Sequence, residues 1–335
     1  MAQGVTIIIR DDLSDADWDE QVWRQPLGNV FCSSMWGRYK ARLGWRVGRL
    51  ATLTADGDLL GLVQYHSKQK GPIRFTYIQG GPLLTGRGER EAPAIMTALI
   101  EKLAPRSLDF LGINFQSFTQ NTAVLALLSR KFVPVLSPRN FTLELDIRGD
   151  EAAIMSGMAP RFRKPLRQAL ANPRLSHRFV TDREERLTCF DAFAVMYEEL
   201  KARKGFGGAF DSSAYRDLLA ADPHHLLLEI REGGELILVR IAHLSAQRCT
   251  DFFVASNERA RASAAANLSV WRIIQQARAS GCHVFDFGGI DPDGNPGVTA
   301  FKTALSQKVA LAGPLWLYGR SPTLRTAAAA FLAHR

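Results

Sequence analysis

Residues Ile290 to Lys302, IDPDGNPGVTAFK, put Asp291, Asp293 and Asn295 at alternate positions, as the opening of a calcium loop does. A helix–loop–helix calcium site also needs glycine at position 6 and a bidentate glutamate at position 12. Counted from Asp291, those places hold Pro296 and Lys302. A cation stands where the closing carboxylate belongs, so the segment is read as a turn that delivers a lysine. Just upstream, Asp286 lies in the apolar stretch VFDFGG. Burial among aromatic neighbours would raise its pKa and let it accept a proton from an amine; fixation by loop amides is the other reading. His224 and His225 are adjacent, but no Cys or acidic partner is read at metal spacing, so they are taken as a turn before a strand. No metal site is expected. The sequence contains no Gly-x-Ser-x-Gly elbow, Walker loop or dinucleotide fingerprint.

Charge points to a polyanion. Lys plus Arg number 42 against 33 Asp plus Glu, a formal net charge of +9. No acid occurs from Ala152 to Thr181, a stretch containing Arg161, Arg163, Lys164, Arg167, Arg174 and Arg178. None follows Asp293, where Lys302, Lys308, Arg320, Arg325 and Arg335 lie. Arg163 and Arg167 are four apart and share a helix face suited to a phosphate backbone, with Lys164 beside them. RNA, a nucleotide or a phosphorylated lipid fits such clustering; a solvated basic face is the alternative.

The elements that must hold these residues form two series. At 335 residues, 46% hydrophobic and 22% charged, the chain is long enough for two cores. No apolar run is long enough to span a membrane, and the start lacks the pattern of a secretory signal. Cys32, Cys189, Cys249 and Cys282 are scattered with no CxxC pair, which fits a reducing cytoplasm and neither zinc nor a disulfide framework. VTIIIR reads as a strand, FCSSMWGRYKARLGW as a helix, WRVGRLATLTADGDLLGLVQYHSK as a hairpin and IRFTYIQGGPLL as a strand. A helix (EREAPAIMTALIEKLA), a strand (SLDFLGINF), a helix (NTAVLALLSRKF) and a strand (RNFTLELDI) end the first series. The second reads as a helix pair around Pro160 and Pro165, the strand HRFVT, two helices, and three strands in HHLLLEIREGGELILVRIAHLSAQRCTDFFVASN. The helix AANLSVWRIIQQARASG, the strand HVFDFGGI and, past the loop, ALAGPLWLY complete it. Both series place a hairpin before a helix and a further strand.

FDFGGIDPDGNPGVTAFKTALSQKVALAG resembles the ending of the Fem-type aminoacyltransferases, where a strand of aromatic-Asp-apolar-Gly-Gly-Ile form leads through a loop to Phe-Lys. FCSSMWGRYKARLGW is similar to that family's tryptophan helix, FTYIQGGPLL to its aromatic strand ending in Gly-Pro, and RNFTLELDI with MAPRFRKPLRQAL to its strand and basic helix. The resemblance covers nearly the whole chain, and the Phe-Lys segment is its most specific part. It implies an α/β (α+β) fold of two tandem GNAT-like domains, each a mixed, mostly antiparallel sheet flanked by helices. The domains would be residues 1–148, joined by 316–335, and residues 149–315 carrying the donor site. Two features depart from the family. No heptad pattern of a long two-helix arm interrupts the second half, and KGFGGAFDSS lacks the arginine that smaller members place after a helix-Gly-aromatic segment.

The activity implied is transfer of an amino acid from aminoacyl-tRNA, as co-substrate, to an amine of a peptide or small molecule, whether cell-wall precursor or natural-product intermediate. The alternative is a coenzyme A thioester as donor on the same fold. No other cofactor is implied. Aminolysis of an ester makes a tetrahedral oxyanion, which a fixed charge stabilises without an enzyme nucleophile. Lys302 would supply that charge and a proton for the leaving oxygen, and Phe301 an apolar wall beside the terminal adenosine. Arg259-x-x-Ala262-x-Ala264, with Arg261 inside it, resembles a degenerate pyrophosphate loop of coenzyme A acetyltransferases and would receive a donor phosphate. With Arg163, Lys164 and Arg167 it makes up the expected donor side. Trp36, Arg38, Tyr39 and Lys40 would face the acceptor. Arg38 and Lys40, two apart on a helix, point in different directions, so one of them at most meets the ligand.

Overall fold

The computed structural model describes residues 7–115, 121–137, 140–204 and 210–334. Ser14, Ser33, Thr85, Asp150, Asp211 and Ser321 each turn a side-chain oxygen onto an amide of the helix that follows, which sets where these helices begin. The chain runs β1 (Ile8–Arg10), α1 (Asp15–Arg24), a 3-10 turn, α2 (Ser34–Arg42), β2 (Arg46–Leu53), β3 (Leu59–Lys70), β4 (Ile73–Gln79), β5 (Leu83–Leu84), α3 (Gly86–Arg90), α4 (Ala92–Leu103), β6 (Asp109–Asn114), α5 (Asn121–Ser129) and β7 (Val133–Val135). It continues through β8 (Phe141–Asp146), α6 (Glu151–Gly157), α7 (Pro160–Ala171), β9 (Leu175–Phe179), α8 (Arg183–Lys204), α9 (Ser212–Ala221), β10 (His225–Glu232), β11 (Glu235–Leu244) and β12 (Arg248–Ser256). Last come α10 (Arg259–Ala262), α11 (Ala265–Ala279), β13 (Val284–Gly289), α12 (Pro296–Thr303), β14 (Lys308–Leu311), β15 (Leu315–Gly319) and α13 (Pro322–Ala333).

Two units result, residues 1–141 with 311–335, and residues 142–310. The first is built on a sheet of order β1-β2-β3-β4-β6-β15-β7, with β5 paired to β3. Helix α4 buries Ile95, Met96, Leu99 and Leu103, a 3.6-residue stripe, against Leu60, Val63, Ile78 and Leu111 of the sheet. Helix α1 was not anticipated from the sequence, although Trp18 and Val22, one turn apart and both 0% exposed, are the apolar stripe that holds it.

The second unit has a sheet of order β14-β8-β13-β12-β11-β10-β9. Helix α7 inserts Phe162, Leu166 and Ala169, and α11 inserts Leu268, Trp271 and Ile274, into a core with Leu228, Ile230 and Leu238. Pro165 sits inside α7 and starts no new helix; the break of the helix pair falls before Pro160. Strand β8, from the stretch RNFTLELDI read from sequence as the close of the first domain, belongs to the second sheet: Asp286 pairs with Glu144 and Val284 with Asp146. The observed boundaries therefore lie a few residues before the sequence-based ones at 148 and 315. β15 does return to the first sheet, between β6 and β7.

Burial has one testable cost in the first unit. His66 is 0% exposed, neither ring nitrogen has a hydrogen-bond partner, and burial, helped by the charge of Lys40, pushes its imidazole down from 6.5 to about 3. Between those values the unfolded chain takes a proton that the folded protein refuses, so stability falls as pH drops below 6.5. One pH unit of this interval corresponds to about 1.4 kcal/mol, which makes the full effect several kcal/mol. His66→Leu should flatten the acid side of a plot of melting temperature against pH. A slope as steep as that of the unsubstituted protein would assign the loss elsewhere.

Candidate active site

The end of β13 organises the site. This strand pairs in parallel with β12 through Arg248–Val284, Cys249–Phe285 and Thr250–Asp286. Pairing stops there, although β12 runs on to Ser256 and β13 to Gly289, so the two strands part. Gly288 has φ +70°, and a side-chain carbon on it would stand 3.0 Å from the Asp251 carbonyl oxygen. Both the backbone conformation and the close approach require glycine.

The loop after β13 is a turn stabilised by its own carboxylate. Asp291 Oδ1 accepts from the Gly294 amide at 2.8 Å, and the Asp291 carbonyl accepts from the Asn295 amide at 2.9 Å. Pro296 then opens α12 where its missing N–H costs nothing. From α12, Lys302 reaches back and its Nζ donates to the carbonyl of Gly289 at 2.8 Å and, more weakly, of Gly288 at 3.4 Å. Burial pulls the Lys302 ammonium below the usual lysine range; Asp251 and Asp286 oppose this and Arg240 adds to it.

Asp251 was missed in the sequence. Its carboxylate is 11% exposed; Oδ2 accepts from Arg240 Nη1 at 2.5 Å, while Oδ1 is buried without a hydrogen-bond partner. Burial raises its pKa against the opposing pull of Arg240 and Lys302. Arg240 is itself buried and fixed by Nε donating to Ser269 Oγ at 3.1 Å. The available signal was the one used for Asp286, a lone acid inside an apolar strand, here TDFFVAS.

Of the two readings of Asp286, the geometry matches fixation. Oδ1 accepts from Thr142 Oγ1 at 2.5 Å and from the Gly288 amide at 2.9 Å, and Oδ2 lies 3.3 Å from Arg248 Nη1. These contacts hold the carboxylate in place at the end of β13, as the fixation reading expects. Phe301 is half-buried, edge-on to Phe162 with ring centroids 5.8 Å apart. Its wall is thus anchored on α7.

The basic helix stands beside α12. The Ala159 amide donates to the Ala304 carbonyl at 2.8 Å, and Arg161 Nη2 to Thr303 Oγ1 at 3.1 Å. Along α7, Arg163 is half-buried, Lys164 and Arg167 are exposed, and none has an ion-pair partner among the described residues. Asn267 Nδ2 on α11 contacts the Phe162 carbonyl at 3.4 Å, which brings the 259–264 turn to the same side. There Arg261 and Ala262 are exposed, Ala264 takes φ 54°, and no side chain caps α11. Arg259 is exposed and pairs with Glu235 and, at 3.2 Å, with Glu232.

In the first unit, Trp36, Tyr39 and Lys40 come together. The Trp36 and Tyr39 rings are 5.0 Å apart, and Trp36 Nε1 donates to Gln79 Oε1 at 3.3 Å. Lys40 Nζ lies 5.2 Å from the Trp36 ring centroid and 5.8 Å from that of Trp45; burial, with Lys68 nearby, lowers its pKa. Arg38 points away and pairs with Asp15. Within KGFGGAFDSS, residues 205–209 lie outside the described residues.

The histidine pair needs a correction as well. His225 has two partners that the sequence reading did not give it, Asp222 from the end of α9 and His243 from β11. Spacing hid His243, eighteen residues away, because only the β10–β11 register brings it opposite His225.

Residues 158–303 match the model of the acetyltransferase (GNAT) domain. No curated protein matches the chain in sequence. Among solved structures, FemX superposes with a TM-score of 0.79 at 16% identity over 97% of this chain and 100% of its own. The C-terminal domain of a protein from Agrobacterium fabrum described as a lysylphosphatidylglycerol synthetase gives 0.63 at 15% identity, covering 96% of both chains. L-PGS from Bacillus licheniformis gives 0.52 at 12% identity over 84% of this chain and 88% of its own. Parted strands, the Phe-Lys helix and these likenesses together give this chain a tandem GNAT-like fold, similar to FemX along its length, with residues 158–303 matching the acetyltransferase (GNAT) domain model.

Proposed function

We propose that this protein is an aminoacyl-tRNA-dependent transferase that forms an amide between an amino acid and an amine of a peptide or small molecule. The observation that carries the reading is the Lys302 ammonium, held at the end of β13 on a helix joined to the unpaired basic face of α7. Its charge faces the carbonyl as it becomes an oxyanion, and its lowered pKa makes it a better proton donor to the departing ribose oxygen. The attacking amine gives its proton to solvent; Asp251, whose unbonded oxygen is buried, and Asp286, which accepts from the Gly288 amide, are positioning residues around Lys302. Solvent returns a proton to Lys302, so the cycle closes.

Arg163, Lys164 and Arg167 are assigned to the tRNA backbone, and Trp36, Tyr39 and Lys40 to the acceptor. Such a donor is met in the cytoplasm. Among the described residues no helix is long and apolar enough to cross a membrane. Acyl transfer from a coenzyme A thioester is the second reading, favoured by the left-handed Ala264 and the uncapped start of α11, which suit a pyrophosphate.

The test of the basic face is a salt titration of tRNA binding. Arg163→Ala with Arg167→Ala should weaken binding and lower the slope of log affinity against log salt by about two, one for each lost phosphate contact. Folding should change little, since charges at or near the surface without a partner contribute little to stability. An unchanged slope would reduce α7 to a solvated face.

A further inference from the structure

Three buried side chains outside the proposed active site converge on one point. Asp222 caps the end of α9 and is 2% exposed; His225 starts β10 at 0%; His243 lies directly opposite His225 on β11 at 1%. Asp222 Oδ2 is 2.8 Å from His225 Nδ1 and 3.1 Å from His243 Nε2. One carboxylate oxygen thus stands between two buried imidazole nitrogens, where a shared proton or a shared cation fits.

The groups behind these three are those a metal site needs. Tyr215 Oη lies 2.7 Å from His225 Nε2, which orients the ring so that Nδ1 faces Asp222 and His243. The other carboxylate oxygen of Asp222 accepts from the His224 amide at 2.9 Å and lies 3.0 Å from His224 Nδ1. One ligand atom from each of Asp222, His225 and His243 lies within 4.8 Å of the others, and no other such group of three occurs among the described residues. A tetrahedral ion with bonds of about 2.0 Å needs neighbouring ligands roughly 3.3 Å apart, so side-chain adjustment suffices.

We infer that Asp222, His225 and His243 form a binding site for a divalent cation of the zinc class, separate from the Lys302 centre. Two imidazoles and one carboxylate select zinc and its transition-metal neighbours over magnesium or calcium, which prefer all-oxygen sets. The fourth position falls to water or to His224, whose side chain is 38% exposed and marks the route from solvent. Pinning the end of α9 to β10 and β11 gives the ion a structural role. Arg186 already donates to the carbonyls of Asp222, Leu219 and His225 at the same corner, so the polypeptide is anchored there before metal arrives.

The test uses the full chain, stripped with a chelator and titrated with Zn²⁺ alone. One equivalent should survive desalting, raise the melting temperature, and be replaceable by Co²⁺ with the strong visible absorption of a tetrahedral site; Mg²⁺ should do none of these. Tyr215→Phe keeps the ring and removes the hydroxyl that lies against His225 Nε2. It should weaken Zn²⁺ binding by about 10- to 100-fold, and His243→Asn should weaken it further. Failure of Zn²⁺ to bind the unsubstituted chain, or equal retention by both variants, would leave the cluster a hydrogen-bonded network and overturn the proposal.

Discussion

Lys302→Met is expected to slow the chemical step by about 10² to 10³, the loss that follows removal of one oxyanion donor. In free energy that is roughly 3 to 4 kcal/mol of transition-state stabilisation. Methionine keeps most of the apolar stem along α12 and removes the charge aimed at the end of β13. The melting temperature should hardly move. The folded protein binds the Lys302 proton less tightly than the unfolded chain does, since burial lowers its pKa, so removing the ammonium removes a cost along with its hydrogen bond to Gly289. tRNA binding should also persist, because α7 and its arginines are untouched. The pH profile gives a second readout. The unsubstituted enzyme should lose rate on the alkaline side below the ordinary lysine pKa of about 10.4, as the ammonium deprotonates, and Lys302→Met should lack that limb. A fully active variant would remove the lysine from the mechanism.

Much of this site was legible because local chemistry and long-range structure agree there. The Asp291–Gly294 turn, Pro296 and the run to Lys302 act within a dozen residues, so sequence spacing reports where the lysine goes. The face shared by Arg163 and Arg167 is likewise a property of one helix. Asp251 is a different case. Its role depends on β12 parting from β13 after Thr250 and on Arg240 standing across the β11–β12 pair, and neither is visible in spacing. His243 stayed hidden for the same reason. The ion pairs of Arg259 were hidden because Glu232 and Glu235 flank a hairpin turn whose approach to α10 is set by tertiary packing. The strand RNFTLELDI was assigned to the wrong sheet since a strand's sequence pattern reports its faces and not its neighbours.

The central claim, amide formation from a tRNA-borne aminoacyl ester, is tested most directly by the fate of a labelled amino acid. Total tRNA charged with a radiolabelled mixture is added with purified protein to a cell lysate, and alkali-stable label outside the RNA is counted. Esters are lost in alkali and amides are kept, so the count reports the new bond. Product should depend on added protein, disappear when the charged tRNA is first digested with RNase, and fall steeply with salt as phosphate contacts are screened. Lys302→Met should give little product in the same time. RNase-resistant turnover driven by a purified acyl-coenzyme A would contradict the account and move the donor to the thioester.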